Sequence, residues 1–256
     1  MSLLALSGLG YTYGDSQFAV SDVSSCLDSA GIIALIGPNG AGKSTLLDLI
    51  AGLKAPNRGT CQVNGDDTAS LTREQLARLV AHVPQQLPQE VPFTVEDVIM
   101  TGRLPHSAGL FESTDDEAAL ERAIAKARLE SFRRRPFVSL SGGEKQRVLL
   151  AAAMCQEATI LLLDEPSAHL DPENQVLLWD MIIDLKRAGH LILVATHHLS
   201  LAAQHSDRIW LMNHGRLVAD SEACAALQLK EMEEVFRVPF HWHKSDEGRL
   251  YLNYGR

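Results

Sequence analysis

The sequence predicts an α/β fold with a mainly parallel sheet, and three observations lead to this prediction. Short apolar runs that suit buried parallel strands occur at 32–36, 160–163 and 191–195. A glycine-rich segment follows the first run and precedes a helical pattern. A long stretch with helical spacing separates the first run from the second. Together these features predict a parallel core with an inserted α-helical subdomain.

An antiparallel β edge is predicted at the N-terminus. Segments 3–9 and 20–27 have strand-forming composition, and Gly14-Asp-Ser between them favours a turn. Both segments precede the apolar run at 32–36. We therefore expect a small β-rich layer before the core begins.

The helical insertion is predicted from proline positions and apolar spacing. Prolines at 84, 88, 92 and 105 interrupt regular structure, and apolar residues then recur at helical spacing through 115–130. We expect one domain over 1–256. Within it, 1–85 and 158–256 would form the core, and 86–157 the helical subdomain.

Charge and cysteine usage limit the function classes. The 256 residues carry a formal net charge of -9, which argues against binding to a nucleic acid backbone. The four cysteines lie far apart without a C-x-x-C pair, which is typical of reduced thiols and indicates no zinc site. No run of eighteen apolar residues occurs, so we expect any membrane role to depend on a partner.

A glycine-rich loop follows the apolar run at 32–36 and fits the pattern G-x-x-x-x-G-K-[ST]. Its glycines let backbone N–H groups surround an anion at the N-terminal end of the next helix. Lys43 supplies charge to the β and γ phosphates of a nucleotide, and Ser44 offers a hydroxyl to Mg²⁺. The loop predicts a P-loop NTPase core. The residues expected to contact the nucleotide are Gly37, Pro38, Asn39, Gly40, Ala41, Gly42, Lys43, Ser44 and Thr45.

Two carboxylates stand at the end of the apolar run at 160–163. In a buried parallel sheet, this position delivers side chains to the ligand-binding edge. Asp164 suits Mg²⁺ coordination together with Ser44 and the phosphates. Glu165 is then available to align or deprotonate the water that attacks the γ-phosphorus.

A second phosphate-type construction lies at 140–147, with the sequence Leu-Ser-Gly-Gly-Glu-Lys-Gln-Arg. Ser141 and the N–H groups of Gly142 and Gly143 could bind an anion at a helix start. Two explanations are open at this point. One active site could use both loops of a single copy, or each copy could lend this loop to the nucleotide of another copy.

These motifs, in this order, resemble the ATP-binding subunits of ABC transporters over essentially the whole chain. The loop from Gly37 to Thr45 is similar to the phosphate loop of the family. The segment from Leu140 to Glu144 is similar to its signature motif, and Asp164-Glu165 to its Walker B carboxylates.

The resemblance implies further site residues. Gln85 would be the Q-loop glutamine near Mg²⁺, Asp171 the D-loop aspartate that contributes to the nucleotide site, and His197 the switch histidine. Tyr13 would stack on adenine, with Tyr11 as the alternative. His197 would donate a hydrogen bond to the γ-phosphate or the attacking water.

Three positions depart from the family pattern. Glu144 stands where many members have glutamine, and His198 where an acidic residue often follows the switch histidine. Ala168-His169 replaces the usual small polar start of the D-loop. The resemblance leaves the consequences of these departures for contacts between copies open.

The resemblance also implies partners. ATP and Mg²⁺ would join two copies head to tail, with Lys43, Ser44 and Asp164 from one copy and Ser141 and Gly143 from the other. The dimer would drive a membrane permease at the cytoplasmic face of the inner membrane and serve a substrate-binding protein indirectly. We expect no nucleic acid partner.

The segment 93–106 ends in Gly-Arg-Leu-Pro-His and resembles importers of ferric siderophores, haem and cobalamin. The region 85–106 would then couple to the permease. The main alternative is a soluble ABC-type ATPase that acts on DNA or ribosomes. A small-molecule kinase is a third interpretation, but it gives the motif at 140–147 no role.

Overall fold

The computed structural model describes residues 2–14, 18–85, 92–106, 114–168, 170–222, 229–244 and 250–255. The predicted turn that starts at Gly14 extends outside these residues. The strands are β1 Leu4–Thr12, β2 Phe18–Leu27, β3 Gly31–Ile36, β4 Arg58–Val63, β5 Asp66–Asp67, β6 Val80–Val83, β7 Ile160–Asp164, β8 Leu191–Ala195, β9 Arg208–Asn213, β10 Arg216–Glu222, β11 Phe240–Lys244 and β12 Leu250–Tyr254.

The α-helices are α1 Lys43–Ile50, α2 Arg73–Leu79, α3 Val95–Met100, α4 Thr114–Ala127, α5 Gly142–Cys155, α6 Pro172–Arg187, α7 Leu199–His205 and α8 Leu229–Phe236. Short 3₁₀ helices occupy Thr101–His106, Glu130–Phe132 and Phe137–Ser139. The chain divides into two compact units, Met1–Leu71 with Leu191–Arg256, and Thr72–His190. The finer division into a core and a helical subdomain at 86–157 stays a prediction.

The first unit contains the antiparallel edge that the sequence predicts. Four strands lie in the order β2-β1-β4-β5. Leu4 of β1 is paired with Leu27 of β2 and with Val63 of β4, and all three side chains are buried. Alternating burial along β1 fits a sheet with one face on the core.

Parallel strands in the same unit position the first group of candidate site residues. Strand β3 lies between β8 and β9 and is parallel to both. Every residue of β3 and β8 is buried, which explains why both segments are continuous apolar runs. Leu35 is paired with Ala195. The segments that follow β3 and β8 therefore leave the sheet at the same edge.

The C-terminal elements of the first unit cover one face of these strands. Helices α7 and α8 and the β11–β12 hairpin contribute to one buried apolar cluster with β3 and β9. Met232 of α8 and Phe240 of β11 are almost fully buried there. This packing covers one face of β3, the strand that leads into the phosphate loop.

The second unit repeats the parallel arrangement on a smaller scale. Strands β6 and β7 are parallel, with Val83 paired with Leu163. Helices α3, α4 and α5 pack on one another, and α4 buries apolar residues at helical spacing, including Leu120 and Ile124. The α/β fold class with a parallel core, antiparallel edge and helical part is confirmed.

The Gly-Arg-Leu-Pro-His segment contributes a buried ion pair rather than an exposed charge. Arg103 Nε donates to Asp116 Oδ1 at 2.7 Å, and its Nη1 donates to Glu157 Oε2 at 2.7 Å and to the Cys155 carbonyl at 3.0 Å. Burial lowers the pKa of Arg103, but the bonds to Asp116 and Glu157 outweigh this effect and raise it. His106 Nε2 lies 2.8 Å from the Gln156 carbonyl. Both side chains therefore fasten this segment to the end of α5.

The arginine cluster at 133–135 also has a structural role. Arg133 donates to the carboxylates of Glu96 and Glu121. Backbone hydrogen bonds join the same two segments, from Glu96 N to the Arg133 carbonyl and from Phe137 N to the Phe93 carbonyl. Arg133 therefore ties the start of α3 to the segment that precedes α5.

The described cysteines are free thiols, and two of them are buried. Burial raises the pKa of Cys61 to about 12 and that of Cys155 to about 11. Both thiols are therefore protonated at neutral pH and poorly nucleophilic. Within the described parts of the chain, no helix combines the length and the apolar content that crossing a bilayer requires.

Candidate functional site

The predicted phosphate loop lies between β3 and α1. Lys43 is the first residue of α1 and is buried, and its Nζ donates to the carbonyls of Gly37 at 2.8 Å and Pro38 at 3.1 Å. The ammonium is thus held within the loop. Ser44 is exposed in the first helical turn, while Thr45 is buried. The backbone N–H groups at this helix start favour an anion.

Two glycines of the loop have no room for a side chain. Gly37 has φ of 152°, and a Cβ there would lie 2.2 Å from the Met212 carbonyl oxygen. Gly42 has φ of 100°, and a Cβ there would lie 2.2 Å from the Ala19 carbonyl oxygen. The loop from 37 to 45 offers N–H groups, one ammonium and two hydroxyls, with no carboxylate. These residues fit the triphosphate of a nucleotide and a Mg²⁺ ion bound to it.

Tyr13 lies beside the same helix. Its hydroxyl is 3.2 Å from Thr45 Oγ1, and Tyr11 makes an edge contact with its ring at a centroid distance of 5.0 Å. The Tyr13 side chain is 48% exposed, whereas Tyr11 is partly buried. Tyr13 therefore has the more accessible ring of the two candidates for stacking on a base.

His197 follows β8 at the same edge as the phosphate loop. The pairing of Leu35 with Ala195 brings Gly37 and His197 to matching positions beyond the two strands. His197 is exposed, and its ring lies 4.5 Å from that of His198, measured between centroids. The backbone before it is anchored, because Thr196 is fully buried and its N–H donates to the Leu35 carbonyl at 3.1 Å.

Gln85, Asp164 and Glu165 come together in the second unit. Because Val83 is paired with Leu163 in parallel strands, residues that follow β6 and β7 leave at one edge. Gln85 is exposed, whereas Asp164 and Glu165 are 6% and 8% exposed. Buried carboxylates at a strand end suit a cation or a reacting water rather than a structural turn.

Glu165 also has an uncommon backbone conformation. Its φ is 53°, in the left-handed region that non-glycine residues seldom adopt. The turn is held by a hydrogen bond from Ala168 N to the Glu165 carbonyl at 3.1 Å. Such backbone strain costs about 1–3 kcal/mol and often occurs at functional sites.

The motif at 140–147 forms the start of α5. Ser141 caps the helix, since its Oγ accepts from Glu144 N at 3.3 Å and its N–H donates to Glu144 Oε2 at 2.7 Å. Gly142 is exposed and Gly143 is buried. Burial raises the pKa of Glu144, but the hydrogen bonds from the backbone and side chain of Ser141 outweigh it and lower the pKa. Glu144 therefore acts as an ionised partner of this cap.

Asp171 caps α6 in a similar way. Its Oδ1 accepts from Asn174 N at 2.8 Å, and both carboxylate oxygens accept from Asn174 Nδ2 at 3.0 Å. Pro172 occupies the first turn, where its missing N–H costs no hydrogen bond. Asp171 is exposed. His169, one of the departures from the family pattern, lies outside the described residues.

Lys54 is a cation beside the candidate site that the sequence did not indicate. Lys54 Nζ lies 5.8 Å from the centroid of the Tyr13 ring and donates to Asp48 Oδ2 at 2.6 Å. The hydrogen bond with Asp48 raises the pKa of Lys54. The spacing of Lys54 from Tyr13 follows no local pattern. The two side chains meet because the segment after α1 lies against the end of β1, where Asn57 N donates to the Gly10 carbonyl at 2.9 Å.

Comparison with known families decides the identity. The family described as ABC transporter matches residues 20–168, more than half of the chain. The chain belongs to the ABC transporter ATP-binding family. The resemblance drawn from the motifs is thereby confirmed, and this ABC ATP-binding protein is an ATPase.

Two curated relatives are similar to this ABC protein. The hemin import ATP-binding protein HmuV of Streptomyces coelicolor is 39% identical over 208 residues, which are 81% of this chain and 74% of the relative. The cobalamin import ATP-binding protein BtuD of Halobacterium salinarum is 40% identical over 199 residues, 77% of this chain and 50% of the relative. The chain thus matches only half the length of the second relative.

The fold of this ABC protein also has solved counterparts. A chain of a metal-chelate type ABC transporter in an inward-facing conformation superposes with a TM-score of 0.85 at 25% identity. The match covers 100% of this chain and 98% of that chain. An ATP-binding subunit of another ABC transporter superposes with a TM-score of 0.77 at 28% identity, over 92% and 94% of the two chains.

Proposed function

We propose that the chain is the ATP-hydrolysing motor subunit of an importer for a ferric siderophore, haem or cobalamin. The observation that carries this proposal is that relatives matching about four-fifths of the chain are import ATP-binding proteins for hemin and cobalamin. Both compounds are metal chelates of a large organic ring. The similarity to a metal-chelate type transporter supports the same substrate class.

The phosphates of ATP would bind to the loop at 37–45, with Lys43 against the β and γ phosphates. Ser44, Asp164 and Gln85 would hold Mg²⁺ directly or through water, and the ion would neutralise phosphate charge. Glu165 would take a proton from the attacking water, and His197 would donate to the γ-phosphate. The burial of Asp164 and Glu165 and the exposure of Gln85 and His197 are compatible with these roles.

We further propose that two copies share each ATP. Ser141, Gly142 and Gly143 of one copy would bind the γ-phosphate that the loop of the other copy holds, with Asp171 beside it. Loss of the γ-phosphate on hydrolysis would remove the differential affinity for the closed dimer, so the pair would reopen. This cycle of closing and opening would be the mechanical output.

The capping geometry of Ser141 is compatible with that second role. A hydroxyl accepts and donates at the same time. Ser141 can keep the bond from Glu144 N while its own proton turns from the Glu144 carboxylate to a phosphate oxygen. The exposed position of Ser141 leaves room for this contact.

Ser141→Ala is expected to lower ATP turnover about 10- to 100-fold, because a hydrogen bond to a charged group is worth about 1.5–3 kcal/mol. It also removes a helix cap, which costs about 1 kcal/mol of stability. Thr72→Ala is the matched control, since Thr72 makes the same capping box on α2 with Gln75. Steady-state ATPase assays and thermal unfolding of both variants separate the two effects. Equal turnover in the two variants would contradict the shared-nucleotide proposal.

The partner of the motor would be a membrane permease at the cytoplasmic face of the cell membrane, served by a substrate-binding protein. Phe93 and Leu104 are 53% and 69% exposed, although they are large apolar side chains. Both lie in the segment 93–106 that the sequence predicts to couple to the permease. Arg103 is buried within its own unit, so we do not assign it to that contact.

The proposed function is tested by expressing the chain with the permease encoded beside its gene. We expect the two proteins to co-purify in detergent and to drive ATP-dependent uptake of hemin, cyanocobalamin or a ferric siderophore into proteoliposomes. Phe93→Ser and Leu104→Ser should reduce co-purification while the isolated chain still hydrolyses ATP. Uptake of none of the three compounds by an ATP-hydrolysing complex would reject the substrate class. Co-sedimentation with ribosomes or DNA instead would support the alternative of a soluble ATPase, which no comparison favours.

A further inference from the structure

The Tyr13 side chain is held in place by contacts with Thr45 and Tyr11. Its hydroxyl is 3.2 Å from Thr45 Oγ1, and the Tyr11 ring meets it nearly perpendicular, at an interplanar angle of 87°. The side chain nevertheless remains 48% exposed. An aromatic ring that is both fixed and accessible is suited to stacking on a base.

Lys54 lies over the same ring. The distance from its Nζ to the ring centroid is 5.8 Å, within the range of a cation–π contact. The ammonium therefore limits the orientations that the Tyr13 ring can adopt.

Asp48 determines where the Lys54 ammonium lies. Asp48 stands one helical turn after Thr45 on α1, and its Oδ2 accepts from Lys54 Nζ at 2.6 Å. The main chain supports this contact, because the N–H of Leu53 donates to the Asp48 carbonyl at 2.9 Å. Helix α1 thus orients Tyr13 at two points, through Thr45 at the hydroxyl and through Asp48, which binds Lys54 beside the ring.

We propose that Lys54 is a positioning residue for nucleotide binding, which holds the Tyr13 ring in the orientation in which it stacks on the adenine base. This inference rests on the proposed stacking role of Tyr13 and goes beyond it. Lys54 acts on the base part of the nucleotide and not on its phosphates. It therefore contributes to affinity for nucleotides over plain polyphosphates.

The test compares a ligand that has a base with one that lacks it. ADP and inorganic tripolyphosphate are titrated against the full chain by calorimetry in the presence of Mg²⁺. Lys54→Met keeps the length of the side chain and removes its charge. We expect the Kd for ADP to rise about two- to fivefold, as a partly exposed cation–π contact allows. The Kd for tripolyphosphate should stay unchanged.

Two further variants test whether the effect depends on the positive charge at position 54. Lys54→Arg should restore ADP affinity, since a guanidinium can both stack on the ring and bind Asp48. Lys126→Met is the control for the loss of one positive charge, because Lys126 is exposed on α4. This variant should bind both ligands like the unmodified chain.

The Tyr13→Ala variant distinguishes the stacking role of Tyr13 from the positioning role of Lys54. We expect a rise of about tenfold or more in the Kd for ADP and no additional effect of Lys54→Met in that background. Unchanged ADP binding by Tyr13→Ala would contradict the stacking role of Tyr13 and therefore also the positioning role of Lys54. If Tyr13→Ala binds ADP more weakly and Lys54→Met binds it like the unmodified chain, only the positioning role of Lys54 is overturned. Equal weakening of ADP and tripolyphosphate by Lys54→Met would also overturn it, since the effect would then lie in the phosphate loop.

Discussion

Glu165→Gln is expected to abolish nearly all ATP hydrolysis and to leave ATP binding intact. A general base contributes about 10²- to 10⁴-fold to a rate, and an amide of the same size cannot take the proton. Glu165 is buried and sits in a left-handed turn, and glutamine places the same backbone and volume demands on that position. The loss should therefore appear in kcat rather than in the affinity for ATP.

The same variant should accumulate as an ATP-bound dimer. If two copies share each ATP and hydrolysis reopens them, a copy that binds but does not hydrolyse stays closed. Light scattering after size-exclusion chromatography in MgATP measures this directly. Glu117→Gln makes the same chemical change at an exposed carboxylate of α4 and should remain fully active and reversible. A Glu165→Gln chain that stays monomeric in saturating ATP would refute the sharing of nucleotide between copies.

The parallel core could be predicted because its strands are buried on both sides. Strands β3, β7 and β8 have no exposed residue, so each reads as an uninterrupted apolar run. The phosphate loop, Gln85, the pair Asp164-Glu165 and His197 could be placed for the same reason, because each stands at the end of a parallel strand. The pairing Leu35–Ala195 brings two of these strand ends together in the first unit, and the pairing Val83–Leu163 does so in the second. The motif at 140–147 follows a 3₁₀ helix instead and could be placed only from its own sequence.

Contacts between distant side chains could not be predicted in this way. Lys54 meets Tyr13 because the segment that follows α1 is hydrogen-bonded to β1, and neither residue belongs to a periodic pattern. Arg103 is buried with carboxylates from α4 and from the turn after α5, Asp116 and Glu157, and no sequence spacing indicates either partner. Arg133 likewise finds Glu96 and Glu121 on α3 and α4. Such pairs depend on tertiary packing, which single-sequence periodicity does not encode.

The ion pair of Arg103 and Asp116 is expected to matter most for stability. Both side chains are 8% exposed, and their contact distance is 2.7 Å. Asp116→Ala removes one partner and leaves a buried guanidinium without its nearest carboxylate. Removal of one member of a buried pair costs about 3–5 kcal/mol. Chemical unfolding with urea measures the change, and the transition midpoint should fall without a large change in slope.

Asp115→Ala provides the matched control, since Asp115 is exposed in the same first turn of α4 and the charge change is identical. It should alter stability by no more than about 0.5 kcal/mol. Similar losses in the two variants would show that the first turn of α4 needs negative charge in general rather than a partner for Arg103.

A double substitution separates the charge effect from lost packing. Arg103→Met with Asp116→Leu replaces both charges by apolar side chains, and such replacements of buried pairs are often neutral or stabilising. If the cost of Asp116→Ala comes from the unpaired guanidinium, the double variant should be more stable than the single one. If it comes from lost packing, or if the second bond of Arg103 to Glu157 dominates, the double variant should be at least as unstable. The sign of this difference therefore identifies which interaction fastens the 101–106 segment to α4 and α5.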